Sequence, residues 1–174
     1  MTYEELLEYD FAVRKHPIFK GTKIPLLEDF FKLCAKTGMR PMFSTHPALT
    51  KEQWLKVKEM LIKYNLLPHF HVKGGEPEIL QYAYEVFGDD IDGYTLDVND
   101  PTPEELADMK AIGIDTAKCR AVIEIRYQFI NDESIAMVRE TGFSVAAWNM
   151  PHCCEFEVYE RLIDMGVAEF TEDY

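Results

Sequence analysis

Four glycines in this sequence sit at the same kind of junction. Thr37-Gly38, Ile112-Gly113, Thr141-Gly142 and Met165-Gly166 each end a helix-like stretch just before a strand-like one or its approach. Glycine accepts the left-handed backbone that caps the orphan carbonyls of a helix end. The strand-like stretches are Arg40–His46, Leu67–Lys73, Asp92–Val98, Arg120–Tyr127, Phe143–Met150 and Val167–Thr171. Thr50 opens a helix with Gln53 as its reciprocal cap, and Trp54, Val57, Leu61 and Ile62 supply an apolar stripe at helical spacing. Pro77 and the Thr102, Pro103, Glu105 group open two more. Ile135–Thr141 and Phe156–Met165 complete the set, and Thr2–Tyr9 and Leu26–Lys36 are helices ahead of it. Such alternation with short joins predicts an α/β fold of parallel strands and crossover helices. About six strand–helix units fit an open doubly wound sheet or part of an eight-stranded barrel. The nucleotide-binding sheet should carry a Gly-rich phosphate loop after its first strand, and Lys73-Gly74-Gly75 is too short for one.

At 174 residues the chain reads as a single domain, 1–174. Its 18 Lys and Arg against 31 Asp and Glu give a net charge of -13. That balance argues against a nucleic-acid partner and against docking on anionic membranes through a basic surface. No apolar run is long enough for a membrane span. The acidic, helical stretch Met1–Asp10 is not a signal peptide. Cys34, Cys119, Cys153 and Cys154 lack the spaced pairs of a zinc or redox site, so they read as free thiols in a reducing, cytoplasmic setting.

In either architecture, chemistry belongs at the carboxyl ends of the strands. Polar and aromatic groups gather there, and each has two readings. Ser44, Thr45 and His46 end the first strand, and His46 is either a ligand or a cap for the next helix. Strand alternation puts His69, His71 and Lys73 on one face: a metal pair and a phosphate cation, or interior histidines and a solvated lysine. Asp97 is a metal ligand or a partner for loop amides. Glu124 and Arg126 share a face and are either site groups or a structural pair with each other. Trp148 is core or a substrate platform, followed by Asn149 and His152. Glu172 and Asp173 end the last strand.

Several segments together resemble the glycerophosphodiester phosphodiesterase family. Thr-Tyr-Glu-Glu-Leu from Thr2, then Gly-Thr-Lys-Ile-Pro-Leu-Leu-Glu-Asp-Phe-Phe from Gly21, resemble the family's short helix followed by Ile-Pro-Thr-Leu-Glu-Glu. Phe143–Met150 with Trp148 resembles its late tryptophan-bearing strand. The ending from Gly166, Gly-Val-Ala-Glu-Phe-Thr-Glu-Asp, resembles its closing strand, Gly-Val-Asp-Gly-Ile-Ile-Thr-Asp.

The resemblance implies a partial (β/α)8 TIM barrel and hydrolysis of glycerophosphodiesters to an alcohol and glycerol 3-phosphate, a lipid-metabolism activity. It also implies a divalent metal, Mg or Ca. The family's His-Arg-Gly, Glu-x-Asp and His-Asp segments, which carry acid, base and metal carboxylates, have no counterpart here. The chain is therefore expected to lack the first two strand–helix units and to be inactive alone. Where the family has Glu-Ile-Lys, this chain has Ser44-Thr45-His46, which puts Ser44 at the metal-carboxylate position and His46 beside it as a metal candidate, with Asp97 as a second. Supporting roles fall to Trp148 on the glycerol moiety and to Lys73 and Arg126 near phosphate. Unclosed strand edges would be sticky; a second copy, a lid from the N-terminal helix, or a longer chain could each cover them. The alternative is a non-catalytic barrel-like module that binds a ligand or partner. A third reading is a different metal hydrolase built on His46, His69, His71 and Asp97.

Overall fold

The computed structural model describes residues 1–45, 49–150 and 156–172. The chain divides into two compact units, Met1–Met39 and Arg40–Tyr174. In the first, Thr2 and Glu5 form a capping box on α1 (Tyr3–Leu6), which ends earlier than its sequence pattern suggests. A 3-10 turn follows at Pro17–Phe19, then α2 (Leu27–Thr37), closed by Gly38 in the left-handed conformation at φ 73°. That backbone is what the sequence required of the glycine.

Among the described residues the second unit holds six parallel strands in chain order: β1 (Met42–Ser44), β2 (His71–Gly74), β3 (Gly93–Val98), β4 (Arg120–Arg126), β5 (Ser144–Met150) and β6 (Glu169–Glu172). Helices α3 (Lys51–Lys63), α4 (Pro77–Phe87), α5 (Pro103–Ala111), α6 (Asp132–Thr141) and α7 (Phe156–Asp164) alternate with them. The sheet is curled into part of a (β/α)8 barrel, as expected. Its capping boxes are Thr50 with Gln53, Thr102 with Glu105, and Asn131 with Ser134. The last box starts α6 at Asp132, ahead of the expected Ile135.

One expected strand is not there over its full length. Leu67–His69 is a 3-10 turn, and β2 begins only at His71. Pro68 lacks the N–H that a strand ladder needs, so the chain turns first. His69 is consequently exposed and off the strand, while His71 is buried on it. The two histidines do not share a strand face.

One face of the sheet packs on the helices. Its rows are apolar: Val72 is in register with Tyr94, and Leu96 with Ile123 and then Val145. Helix α4 lies on β2 and β3, and α6 on β5. Phe43, Trp54, Phe70 and Phe87 close this core, the Trp54 and Phe87 rings meeting edge-on at 5.5 Å.

The opposite face is polar. Alternation puts His71, Lys73, Thr95, Asp97, Arg120, Glu124, Arg126 and Trp148 there, where closed barrels normally stack Val, Ile and Leu. Among the described residues, β1 and β6 each pair with a strand on one side only.

Candidate functional site

The polar face has two layers rather than one rim. The layer at the amino ends of the strands centres on His71, which is 3% exposed. Its Nδ1 lies 3.1 Å from Asp92 Oδ2, and its Nε2 lies 2.7 Å from Thr95 Oγ1. A carboxylate only accepts, so Nδ1 carries the proton and Nε2 accepts from the Thr95 hydroxyl. Asp92 also accepts from Arg120 at 2.9 Å and from Arg40 at 3.2 Å, and Arg120 reaches on to Glu169. Burial, more than any neighbouring charge, holds the His71 pKa below its ordinary value. A hydroxyl, an imidazole and a carboxylate in line can activate a nucleophile. Thr95 is only 3% exposed, so a substrate has no route to it and this layer is a structural clasp.

The layer toward the carboxyl ends is different. Lys73 sends its ammonium between two carboxylates, Asp97 at 3.3 Å and Glu124 in closer contact. Asp97 and Glu124 are in register on β3 and β4, which sets them side by side. Thr171 on β6 donates to Glu124 across β5. Ala146, in register with Glu124, leaves room for that reach. Glu124 is nearly fully buried, so Lys73 and Thr171 supply the partners that a buried carboxylate requires. The structural pairing of Glu124 with Arg126, one of the two readings of these residues, does not form.

Arg126 instead turns to β5. Its guanidinium lies 5.7 Å from the centre of the Trp148 ring. Trp148 is in register with Arg126, and its indole Nε1 donates to the Val98 carbonyl at 2.8 Å. With its amide oxygen turned toward Arg126, Asn149 accepts from Nε at 3.2 Å and Nη2 at 3.3 Å. Asn149 stands at φ 57°, inside the irregular stretch where β5 shifts register against β6. Asn is among the few residues that tolerate this conformation, and such departures concentrate at sites.

Of the residues singled out in the sequence, Lys73, Asp97, Glu124, Arg126 and Trp148 come together on one stretch of the sheet. Ser44 is in register with Lys73 at its edge. His46, His152 and Asp173 lie outside the described residues. Thr171 and the Val98 carbonyl were not singled out, and Asn149 was named at its strand end without its left-handed backbone or its tie to Arg126. Strand parity from Glu169 to Thr171 could have found the first, but nothing local marks the Val98 carbonyl or the Asn149 backbone.

The described residues do not fit a divalent-ion site. Hard cations want several oxygens at once. The two carboxylates available, Asp97 and Glu124, already enclose the Lys73 ammonium, and Ser44 adds only a neutral hydroxyl. Among the described residues no group of three or more His, Cys, Asp and Glu is placed to hold a metal.

A curled parallel sheet with a cationic and aromatic group at its carboxyl ends has the architecture of part of an α/β barrel. The fold is shared with glycerophosphodiester phosphodiesterases of known structure. A glycerophosphodiester phosphodiesterase from Parabacteroides distasonis superposes with a TM-score of 0.69 at 18% identity, over 98% of this chain and 66% of its own. A phosphodiesterase from Oleispira antarctica, solved with the product sn-glycerol-3-phosphate, gives 0.75 at 14% identity, over 98% of this chain and 66% of its own. A second structure from Parabacteroides distasonis gives 0.66 at 18% identity, over 97% and 58%. At such identities the likeness is one of fold. This chain spans only 58% to 66% of the length of these structures. No family model matches the sequence, and no curated protein matches it significantly.

Proposed function

We propose that this chain is a phosphodiesterase-type domain that recognises glycerophosphodiesters at the carboxyl ends of its strands and does not hydrolyse them by itself. The observation that carries the reading is the Arg126–Trp148–Asn149 group, set on a fold shared with enzymes of this class. Arg126 would take the phosphate through its planar fork, and Trp148 would present its ring to the glycerol carbons. Asn149 holds the guanidinium and so orients it. Lys73 adds a second cation, although Asp97 and Glu124 already neutralise it, so its share of phosphate binding is the smaller.

Hydrolysis needs a group to protonate the leaving alcohol and another to activate water. Near Arg126 the described residues hold no histidine, and His71 is committed to Asp92 and Thr95. That chemistry supports binding without turnover, and it also favours the broader reading of a non-catalytic ligand-binding module. The single-sided edges of β1 and β6 support self-pairing between two copies, which sedimentation velocity would read. The buried free thiols Cys34 and Cys119, the latter pushed up to about 12 by burial, support a reducing cytoplasmic setting. No helix among the described residues is long and apolar enough to cross a membrane.

Titration calorimetry with glycerophosphocholine and with glycerol 3-phosphate tests the proposal, beside a choline-release assay with and without added divalent cations. Both ligands should bind, Arg126→Gln should weaken each by about tenfold or more, and no choline should be released. Absence of binding by either ligand would sink the reading. Metal-dependent choline release would replace it with an active hydrolase.

A further inference from the structure

The chain is acidic overall, but its charge is not evenly spread. The fifteen residues from Phe11 to Pro25 hold four of the 18 Lys and Arg, namely Arg14, Lys15, Lys20 and Lys23. They hold none of the 31 Asp and Glu. All four cations are exposed. Among them stand large apolar side chains turned to solvent: Phe11 is 46% exposed, Val13 80%, Ile18 77% and Phe19 56%. Scattered exposed apolar residues are ordinary, but four within nine positions and interleaved with cations are not.

The segment is also held in shape. Phe11 N–H donates to the Thr22 carbonyl at 3.0 Å, which closes the loop. Asp10 accepts from Ala12 N–H and Gly21 N–H at 2.9 Å each, and Lys23 donates to the Tyr9 carbonyl at 3.2 Å. The Gly21 and Ala12 amides keep the Asp10 carboxyl below its usual range, so it stays ionised as the loop's internal tie. Pro17 fixes the turn at the far end. Phe11, Ala12, Lys15, Phe19 and Thr22 line a recess of about 430 Å³ on its side. A preformed loop loses less entropy on binding than a flexible one.

We propose that the loop Asp10–Lys23 is a docking element for an anionic lipid surface. Val13, Ile18 and Phe19 would enter the interfacial region, where apolar side chains leave water. Arg14, Lys15 and Lys20 would lie against the lipid phosphates, with their stems along the apolar side chains. Four cations with one carboxylate, Asp10, which is turned to the loop's own amides, suit a surface of fixed negative charge, and apolar tips suit one with a hydrocarbon layer beneath it. The whole-chain charge of -13 hides this patch because every carboxylate but Asp10 lies outside the loop.

Co-sedimentation of the full chain with vesicles tests it, using phosphatidylcholine alone and phosphatidylcholine mixed with phosphatidylglycerol, at low and high salt. The chain should sediment with the anionic vesicles at low salt and be released by salt. Two paired variants, Val13→Ser with Ile18→Ser and Lys15→Glu with Lys20→Glu, change only exposed positions, and circular dichroism verifies their fold. Each pair should lower the partition coefficient about tenfold or more. No sedimentation with anionic vesicles, or sedimentation that both paired variants leave unchanged, would overturn the proposal. So would concentration-dependent self-association without vesicles that the paired glutamates abolish, because the loop would then be covered by a second copy.

Discussion

Trp148 on β5 donates its indole N–H to the Val98 carbonyl at the end of β3, at 2.8 Å, with β4 lying between the two strands. The ring therefore spans the end of β4, where Arg126 meets it. Trp148→Phe would keep an aromatic face but strip that carbonyl of its donor. It should cost about 1 kcal/mol of stability, the net worth of one such bond. Trp148→Ala removes the ring as well and should cost about 3 kcal/mol or more. Urea unfolding of both variants checks this, and equal costs would show that the hydrogen bond outweighs the ring.

Lys73 is the counter-charge for Asp97 and Glu124. Lys73→Met would leave two carboxylates side by side with one of them buried. Removing one partner of a buried ion pair costs about 3–5 kcal/mol. Adding Glu124→Gln to that variant removes the stranded charge and should restore most of the loss. Thermal unfolding of the single and double variants reads the difference. A double variant no more stable than Lys73→Met would point to lost packing rather than charge.

Gly93 begins β3 beneath the His71 ring. A Cβ there would lie 2.6 Å from the Arg120 carbonyl oxygen and 2.8 Å from His71 Cε1. The first of these is backbone in the next strand and cannot move without opening the β3–β4 ladder. Gly93→Ala should therefore lower stability by about 2 kcal/mol or more, as overpacking does. Gly113→Ala serves as a contrast. A Cβ at Gly113 meets no atom, but its φ of 82° strains the backbone by itself. That strain is typically about 1 kcal/mol, so Gly93→Ala should show the larger drop in melting temperature.

The fold was legible in the sequence where the signal is local. Strand order, parallel pairing and the placement of Lys73, Asp97, Glu124, Arg126 and Trp148 toward the carboxyl ends follow from alternation, caps and glycine joins. The partnerships among these residues did not follow, because they depend on inter-strand register. Glu124 and Arg126 are two residues apart on one face, yet register brings Asp97 to Glu124 and Trp148 to Arg126. Pro68 carried a local warning against the long second strand, but the apolar run around it reads more strongly. The start of α6 was obscured because Ser134, rather than Glu or Gln, completes the box with Asn131. The division of the polar face into two layers needed the depth of each residue along its strand, which a one-dimensional pattern does not carry.

His71 gives the fold a pH dependence whose direction is fixed by its surroundings. In the unfolded chain its imidazole takes up a proton as pH falls through its ordinary value of 6.5. In the folded chain burial depresses that pKa, and Arg120 adds to the effect, while Asp92 and Glu124 oppose it. Between the two values the unfolded state binds more protons than the folded one. The stability contributed by a neutral, buried His71 is thus complete above pH 6.5 and is lost as pH falls from there toward the folded-state value. The slope for one group is at most about 1.4 kcal/mol per pH unit. Urea unfolding from about pH 7.5 down to about pH 5.5 should show that decline in the wild type. His71→Asn should be less stable at neutral pH, because Asp92 and Thr95 lose their partner, and its stability should fall less steeply across the same window. Parallel curves for the two proteins would mean that His71 titrates alike in the folded and unfolded chains and that its burial exerts no such control.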